Sequence, residues 1–388
     1  MTADTTPPYS TLTPPGEHPA EAIVSLPNLE HNFRAIRERI PSTCRIMGIV
    51  KANAYGHGAA SIARRLGSLG VSDFGVANIE EAIRLRNAHA ISSRAAVLAF
   101  CSPLASYLPL YLKHDITATI CDHEMLRAAE AVGSAHNRPV RIQVKVDTGM
   151  GRLGVSPRHA QELLHTAEKS PHLNLEGVYT HFAQSTRLDA FTAGQLKTFL
   201  DTCSEFEHST GKHLCKHAAN SGALLTLKDA SLDMIRPGIM LYGYLPDEGI
   251  ENAPELKPVM ELRTKVIFVK EIDAGTSISY NRRWSAPSKT RIATLSAGYA
   301  DGYHRLLSNR ISVSIRGQSF PQVGTVTMDQ IMVDIGDSHN IRAGDDAVLF
   351  GWNGPGADDI ARAAETISYE ILCGIPARVR RVFKENGS

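Results

Sequence analysis

A lysine stands where an apolar run ends, in Ile46-Met47-Gly48-Ile49-Val50-Lys51-Ala52-Asn53-Ala54-Tyr55-Gly56-His57-Gly58. The run has the character of a buried strand, and a Gly-rich turn separates it from a helical pattern that resumes near Ala59. That places a primary amine at the C-terminal mouth of a parallel strand, where α/β folds put chemistry. An apolar mouth lowers the pKa of a lysine and makes its amine nucleophilic toward carbonyls. Taken alone, Lys51 reads first as a surface residue just past a strand, so the other strand ends have to decide.

Those ends carry complementary groups. One run closes on Lys145-Val146-Asp147-Thr148-Gly149-Met150-Gly151-Arg152, another on Tyr179-Thr180-His181, a third on Asn220-Ser221-Gly222 and the last on Arg236-Pro237-Gly238. Asn220-Ser221-Gly222 followed by Ala223-Leu224-Leu225 has the form of a helix start, where backbone N–H groups cradle phosphate, and Pro237-Gly238 permits close backbone approach. An amine nucleophile and a phosphate cradle in one mouth point to pyridoxal phosphate held as an imine on Lys51. A rival motif is present: Gly149-Met150-Gly151-Arg152-Leu153-Gly154 fits G-x-G-x-x-G after a strand, with Glu176 downstream as the ribose-binding acid. Pro157 delays the next helix past the third glycine and Glu176 falls early in its strand, so a dinucleotide site is disfavoured.

The elements that must position these groups alternate. Strands are expected over 22–25, 45–50, 73–77, 95–100, 116–121, 140–147, 175–181, 216–219 and 233–235, with helices such as 59–69, 79–88, 121–132 and 188–208 between them. Repeated β–α units over about 220 residues imply a (β/α)8 TIM-like barrel. Nine strands are one too many, and the first can leave without breaking the β–α order. After 246–254 the texture changes to strands at 259–271, 291–296, 311–313, 322–326, 331–335 and 346–350, followed by a helix near 360–367. The expected organisation is a disordered leader over 1–20, the barrel over 21–250 and a β-rich C-terminal domain over 251–388, with the first strand packing beside the latter.

Composition narrows the function classes. A chain of 388 residues, 43% hydrophobic, is long enough for two cores. Its 41 Lys and Arg balance 40 Asp and Glu, which argues against nucleic acid or a charged membrane surface. The 6 cysteines show no C-x-x-C spacing and read as reduced thiols, and the 16 histidines form no zinc motif, so no metal is expected. The Thr- and Pro-rich N-terminus has no apolar core of a signal peptide, and no stretch is apolar enough to span a bilayer. A cytoplasmic enzyme is expected.

With these residues in place the chain resembles the alanine racemases from about Ala22 to Phe383. The segments that carry the resemblance are 50–58, 145–154, Arg236-Pro237-Gly238, Gly298-Tyr299-Ala300-Asp301-Gly302 and Met328-Asp329-Gln330, in that order. The resemblance implies a pyridoxal-phosphate enzyme with L- and D-alanine as substrates, a homodimer, and an active site shared between subunits. It implies that Lys51 holds the cofactor and serves as one base, while Tyr280, from the partner subunit, is the other. Arg236 would face the pyridine nitrogen with His181 behind it, and Tyr55, Asn220, Ser221, Gly238, Ile239 and Tyr369 would hold the cofactor. Arg152 would meet the cofactor's phenolic oxygen and the substrate carboxylate, countered by Lys145, a position often carbamylated. Met328 would offer a backbone donor to the carboxylate, and Tyr299 and Asp329 would line the approach and support Tyr280.

The implied roles make chemical sense together. Racemisation takes the Cα proton from one face and returns one to the other, so two bases must flank a planar carbon. An arginine opposite the pyridine nitrogen cannot give up its proton, which weakens the ring as an electron sink and disfavours decarboxylation. In isolation Tyr280 would read as an edge-strand aromatic, His181 as a core histidine, Tyr369 as packing and His57 as a turn residue. The chain departs from the family pattern at Asn281, where glycine is common, at Thr327, where cysteine is frequent, and at Gln184-Ser185. Asparagine tolerates positive φ, so the turn after Tyr280 is expected to survive. Two other readings of the barrel are a racemase that also takes serine and a non-catalytic pyridoxal-phosphate carrier; carriers of that kind lack the β domain with Tyr280 and Met328.

Overall fold

Strands buried on both faces need cover on both sides, and the alternation of such strands with amphipathic helices is realised as a barrel. The computed structural model describes residues 19–385. The leader expected over 1–20 lies outside them except for Pro19 and Ala20, and Ala20 is buried. The chain divides into two compact units, one of Glu30–Ala54 and Gly58–Leu256, the other of the segment through Leu29, Tyr55–His57 and the chain from Lys257 onward.

Of the nine early strands the first, β1 (Glu21–Ser25), pairs within the second unit. The other eight build the barrel: β2 (Arg45–Ile49), β3 (Asp73–Val76), β4 (Ala96–Ala99), β5 (Thr117–Ile120), β6 (Val140–Lys145), β7 (Leu173–Tyr179), β8 (Cys215–His217) and β9 (Met234–Ile235). They are parallel in sequence order, and β9 returns to pair with β2. Between β8 and β9 the closure runs through an Asn220–Arg236 bridge, with Arg236 N–H donating to Ala219 O and Asp233 N–H to Lys216 O. The intervening helices follow their caps. Asn78 accepts from Glu81 N–H to start the helix Ile79–Asn87, and Asp189 accepts from Thr192 N–H to start Ala190–Thr210, which stops at the left-handed Gly211. Pro157 stands in the first turn of the helix Pro157–Lys169, where its missing N–H costs nothing.

In the second unit the strands are β10 (Met260–Ile272), β11 (Ser277–Ile278), β12 (Trp284–Ser285), β13 (Thr290–Leu295), β14 (Ser312–Ile315), β15 (Gln318–Val323), β16 (Ile331–Gly336), β17 (Asp346–Phe350) and β18 (Arg380–Lys384). β10 is long enough to pair antiparallel with β1, β17 and β13 along its length. β1 in turn lies between β10 and β18, parallel to the latter. The helix expected near 360–367 is two helices, Ala357–Ala363 and Ser368–Cys373, because Glu365 takes φ 58° and breaks the run. Tyr369 therefore sits inside a helix. Among the described residues no helix is long and apolar enough to cross a membrane.

Because β1 is an inner strand of the second sheet, its side chains are core: Ala22 and Val24 are fully buried. Val24→Ala is expected to lower the unfolding free energy by about 2–3 kcal/mol through the cavity it leaves, read from chemical denaturation midpoints at constant m-value.

Candidate active site

The C-terminal ends of the barrel strands gather the charged side chains. Lys145 closes β6, Thr180 and His181 follow β7, His217 closes β8 and Arg236 follows β9, while Lys51 comes two residues after β2. His181 is pushed down to about 3 by burial first and then by Arg236, Arg152, Lys145 and Lys51, so four cations act on one neutral imidazole. Lys145 is buried and its ammonium is lowered by burial, then by Arg152 and Arg236. The mouth is thus a cationic, water-poor end of the barrel, a setting suited to an anionic ligand.

Arg236 is the best-held of these groups. One guanidinium nitrogen donates to His217 Nδ1 at 2.8 Å, and the other donates to Thr180 O at 2.8 Å and Ala218 O at 2.9 Å. His181 Nδ1 is only a loose third partner at 3.4 Å, so the histidine behind Arg236 is chiefly His217. Burial lowers Arg236 to about 10, which leaves it charged at neutral pH. Because His217 Nδ1 accepts, its proton must sit on Nε2, which lies 2.7 Å from Gln143 Oε1. His217 is accordingly held far below its usual range by burial and by Arg236. Tyr179 stacks on the His217 ring at 4.9 Å, and the Lys145 and Arg236 cations lie 5.7 and 5.5 Å from the tyrosine ring centre. The Thr119 hydroxyl donates to Ala99 O and therefore accepts from Tyr179 OH, which pins the ring.

Around Ser221 the expected helix start is present. Gly238 N–H donates to Ser221 Oγ at 2.9 Å and Met240 N–H at 3.4 Å, while Asn220 caps the short helix Ser221–Thr226. Ser221 Oγ accepts, so its own proton can be given to an anion. Ile239 is fully buried beneath. The glycine loop after β6 has a different purpose from the dinucleotide motif it mimics. Asp147 accepts from Gly149 and Gly151 N–H, and Val155 returns to the ladder through Lys145 O and Asp147 N. Gly154 makes that return possible, with φ 128° and space for a Cβ only 2.7 Å from Asp147 N. Arg152 is exposed at the loop's tip, and Glu176, expected early in its strand, stands at the middle of β7 and pairs with Arg141.

After Lys51 the chain makes a left-handed turn: Ala52, Asn53, Ala54 and Tyr55 have φ of 52°, 54°, 56° and 51°. It is neither strand nor glycine turn. Ala54 N–H returns to Val50 O and Asn53 Oδ1 accepts from Ala59 N–H. In the second unit, Gly56 lies where a Cβ would sit 2.2 Å from Leu372 O, and Arg381 donates to the carbonyls of Gly56, Ile375, Pro376 and Val379. His57 Nδ1 bonds Tyr55 O, the expected turn role. The Tyr55 and Tyr369 rings lie 5.9 Å apart, and burial raises both hydroxyls, Tyr369 to about 12, so both are protonated donors.

Tyr280 lies in the loop of the β11–β12 hairpin, whose Ile278, Trp284 and Ala286 pack against Ile272, Ile292 and Val323. Asn281 adopts φ 62°, and Thr325 donates to Tyr280 O, so the turn holds without glycine. The Tyr280 side chain is 67% exposed. Tyr299 N–H donates to Thr327 O and Ala300 N–H to Met328 O, and Arg378 joins Asp301 to Asp329.

Residues 24–246 match the alanine racemase N-terminal domain family and residues 259–383 the C-terminal domain family. An alanine racemase of Chlorobaculum tepidum is 55% identical over 96% of this chain and 97% of its own length. Among solved structures, the alanine racemase of Clostridium difficile 630 superposes with a TM-score of 0.90 at 33% identity, covering 95% of this chain and 96% of that one. The enzyme from a D-cycloserine-producing Streptomyces lavendulae gives 0.90 at 34% identity, over 96% and 98%. The chain belongs to the alanine racemase family.

It is therefore an amino-acid racemase by kinship, with the barrel and β domain of that family. His217, Gln143 and Tyr179 escape a reading of the sequence because they occupy ordinary strand positions. The one available signal is a histidine three residues before the Asn220-Ser221 helix start.

Two outcomes follow from the geometry. Gly154→Ala should cost at least about 2 kcal/mol, since it adds both backbone strain and a clash, measurable as a fall in Tm with the loop's amides exchanging faster. His181 and His217 are depressed below their ordinary value near 6.5, so the unfolded chain takes up protons first as pH falls. Their contribution to stability is full above about pH 6.5 and is lost on acidification, for His181 as pH falls toward about 3. In spectra of ring-labelled histidine both should stay neutral at about pH 5; a His217 signal titrating near its ordinary value would contradict the assignment.

Proposed function

We propose that the chain interconverts L- and D-alanine with pyridoxal 5'-phosphate as cofactor and works as a cytoplasmic homodimer supplying D-alanine for peptidoglycan. The observation that carries this reading is Arg236, a buried cation whose partners are a neutral imidazole and backbone carbonyls. Such a group keeps its proton when it faces a ring nitrogen, which suits proton transfer at Cα and disfavours loss of CO2.

The residues present fit the cofactor. Lys51 would carry it, Ser221, Gly238 and Ile239 would hold its phosphate, and Tyr55 and Tyr369 would do the same; their protonated hydroxyls are donors as that role requires. Asn220 fixes the helix on which Ser221 stands. When bound, the group supplies an electron sink that acidifies the substrate Cα–H. Arg152 would orient the substrate carboxylate, with Met328 and Tyr299 of the partner subunit completing the pocket. The lowered Lys145 amine suits reaction with CO2 to a carbamate, which would turn a repelling cation into a partner for Arg152. Lys51 Nζ takes or returns the Cα proton on one face, and Tyr280 Oη of the second subunit does so on the other. Asp329, fixed by Arg378, would support that tyrosine.

The test is incubation with L-alanine and pyridoxal phosphate, following D-alanine by chiral chromatography. Lys51→Ala and Tyr280→Phe should each lower kcat by at least about a hundredfold. Mixing the two inactive variants should restore part of the activity through heterodimers. Cofactor uptake without turnover by the wild type would favour a carrier, release of CO2 or amine would overturn the racemase reading, and turnover of serine would widen the substrate range.

A further inference from the structure

We propose that Glu81 is a positioning residue for Lys51, acting through the backbone N–H that follows the lysine. The proposal rests on Lys51 being the cofactor lysine. Glu81 occupies the third position of the helix Ile79–Asn87, after the cap Asn78, whose Oδ1 accepts Glu81 N–H at 3.0 Å. In an ordinary capping box a glutamate at that position reaches back to the N–H of the cap residue. Glu81 does something else. Its Oε2 accepts from Ala77 N–H at 2.7 Å, at the end of β3, and its Oε1 accepts from Ala52 N–H at 2.8 Å, beyond the end of β2.

The two strands are parallel neighbours, and Val50 N–H donating to Gly75 O is a late rung of their ladder. Past that rung the chain leaves the ladder for the left-handed turn of residues 52–55. The first N–H of the turn goes to a carboxylate rather than to backbone. A carboxylate accepting N–H groups is about twice as strong as a neutral acceptor, and the helix N-terminus below it favours its negative charge. One side chain thus ties the starts of two chain segments together, and one of them carries Lys51 on its preceding residue. A helix cap needs only one of these oxygens; the second serves the lysine's turn.

The alternative is a purely structural cap, and a neighbouring residue separates the two. Asn78→Ala removes the cap oxygen from the same helix and leaves both Glu81 contacts in place. Glu81→Gln keeps one acceptor but turns an NH2 toward the other N–H, and Glu81→Ala removes both. Three readouts apply to the full-length protein: exchange of the Ala52 amide without cofactor, the rate at which pyridoxal phosphate becomes covalently attached to Lys51 (fixed by borohydride and located by mass spectrometry), and kcat with KM for alanine. For both Glu81 variants the expected result is Ala52 exchange and Lys51 attachment each altered by about tenfold or more, faster and slower respectively, with kcat falling further than KM changes. Asn78→Ala should lower Tm yet attach the cofactor at the wild-type rate. Glu81 variants that attach it at the wild-type rate, or an Asn78→Ala variant that is equally slow, would overturn the positioning role alone. A wild type that takes up no pyridoxal phosphate on Lys51 would overturn the functional reading and this role with it.

Discussion

Keeping a guanidinium charged inside a barrel without giving it a carboxylate is the constraint on which the rest of the barrel mouth depends. Arg236 is only 4% exposed, and removing a cation from water costs several kcal/mol even after relaxation. Hydrogen bonds to neutral acceptors offset that cost, and each acceptor makes its own demand. Thr180 and Ala218 must present carbonyls at places where the strands β7 and β8 have just ended. His217 must be neutral and must hold its proton on Nε2, which calls for an acceptor on the far side, and Gln143 supplies it from β6. Tyr179 must lie flat on that imidazole, which is why its hydroxyl is tied to Thr119 on β5. Four consecutive positions of the barrel wall are thereby committed to one cation.

A second constraint is backbone conformation near Lys51. Left-handed residues other than glycine cost roughly 1–2 kcal/mol each, and Ala52, Ala54 and Tyr55 all adopt it, with Asn53 the tolerant member. The loop after β6 meets positive φ with glycine at 149, 151 and 154. The contrast is informative. At those three positions side chains are dispensable, and the loop is shaped by its backbone and by Asp147. After Lys51 they are not, since Asn53 accepts a backbone bond and Tyr55 presents a protonated hydroxyl. Strain is therefore carried where a side chain has to emerge from a left-handed turn, and it is held by Glu81, Val50 O and Asn53 at that turn.

What the sequence made legible follows from these two constraints. The eight barrel strands, their order and the lysine at the end of β2 could be read because buried parallel strands write a periodic apolar pattern. The displaced β1 could be anticipated only by counting, since its residues look like any other strand and its partners β10 and β18 lie more than two hundred residues away. The turn at 52–55 was illegible because Ala and Asn favour neither hand visibly in a pattern. His217 and Gln143 were hidden for a similar reason: polar residues facing into a barrel occupy the same alternation as those facing out. The glycine motif has the right spacing for phosphate but a chain-return purpose, and Pro157, which starts the next helix late, was the legible sign against a dinucleotide site. Glu365 broke a helix whose apolar period continues across it, so no pattern marked the break.

The β-rich unit solves a different problem, holding exposed side chains still. Tyr280 is 67% exposed and Met328 53% exposed, and an exposed group ordinarily samples several rotamers and backbone states. Here the backbone beneath each is committed. Tyr280 sits on a hairpin whose flanks are core, with its carbonyl engaged by Thr325. Met328 is bonded to the 299–300 turn, and the next residue, Asp329, is tied through Arg378 to the fully buried Asp301. Ordering these positions is costly for a monomer's surface, because conformational entropy is lost with little apolar area gained in return. The cost is intelligible if the side chains must arrive at a reaction already oriented, where a misplacement of about 1 Å can lower a rate by about a hundredfold. Burial fixes Arg236, while backbone bonding fixes Tyr280, and each method suits the polarity of the group it holds.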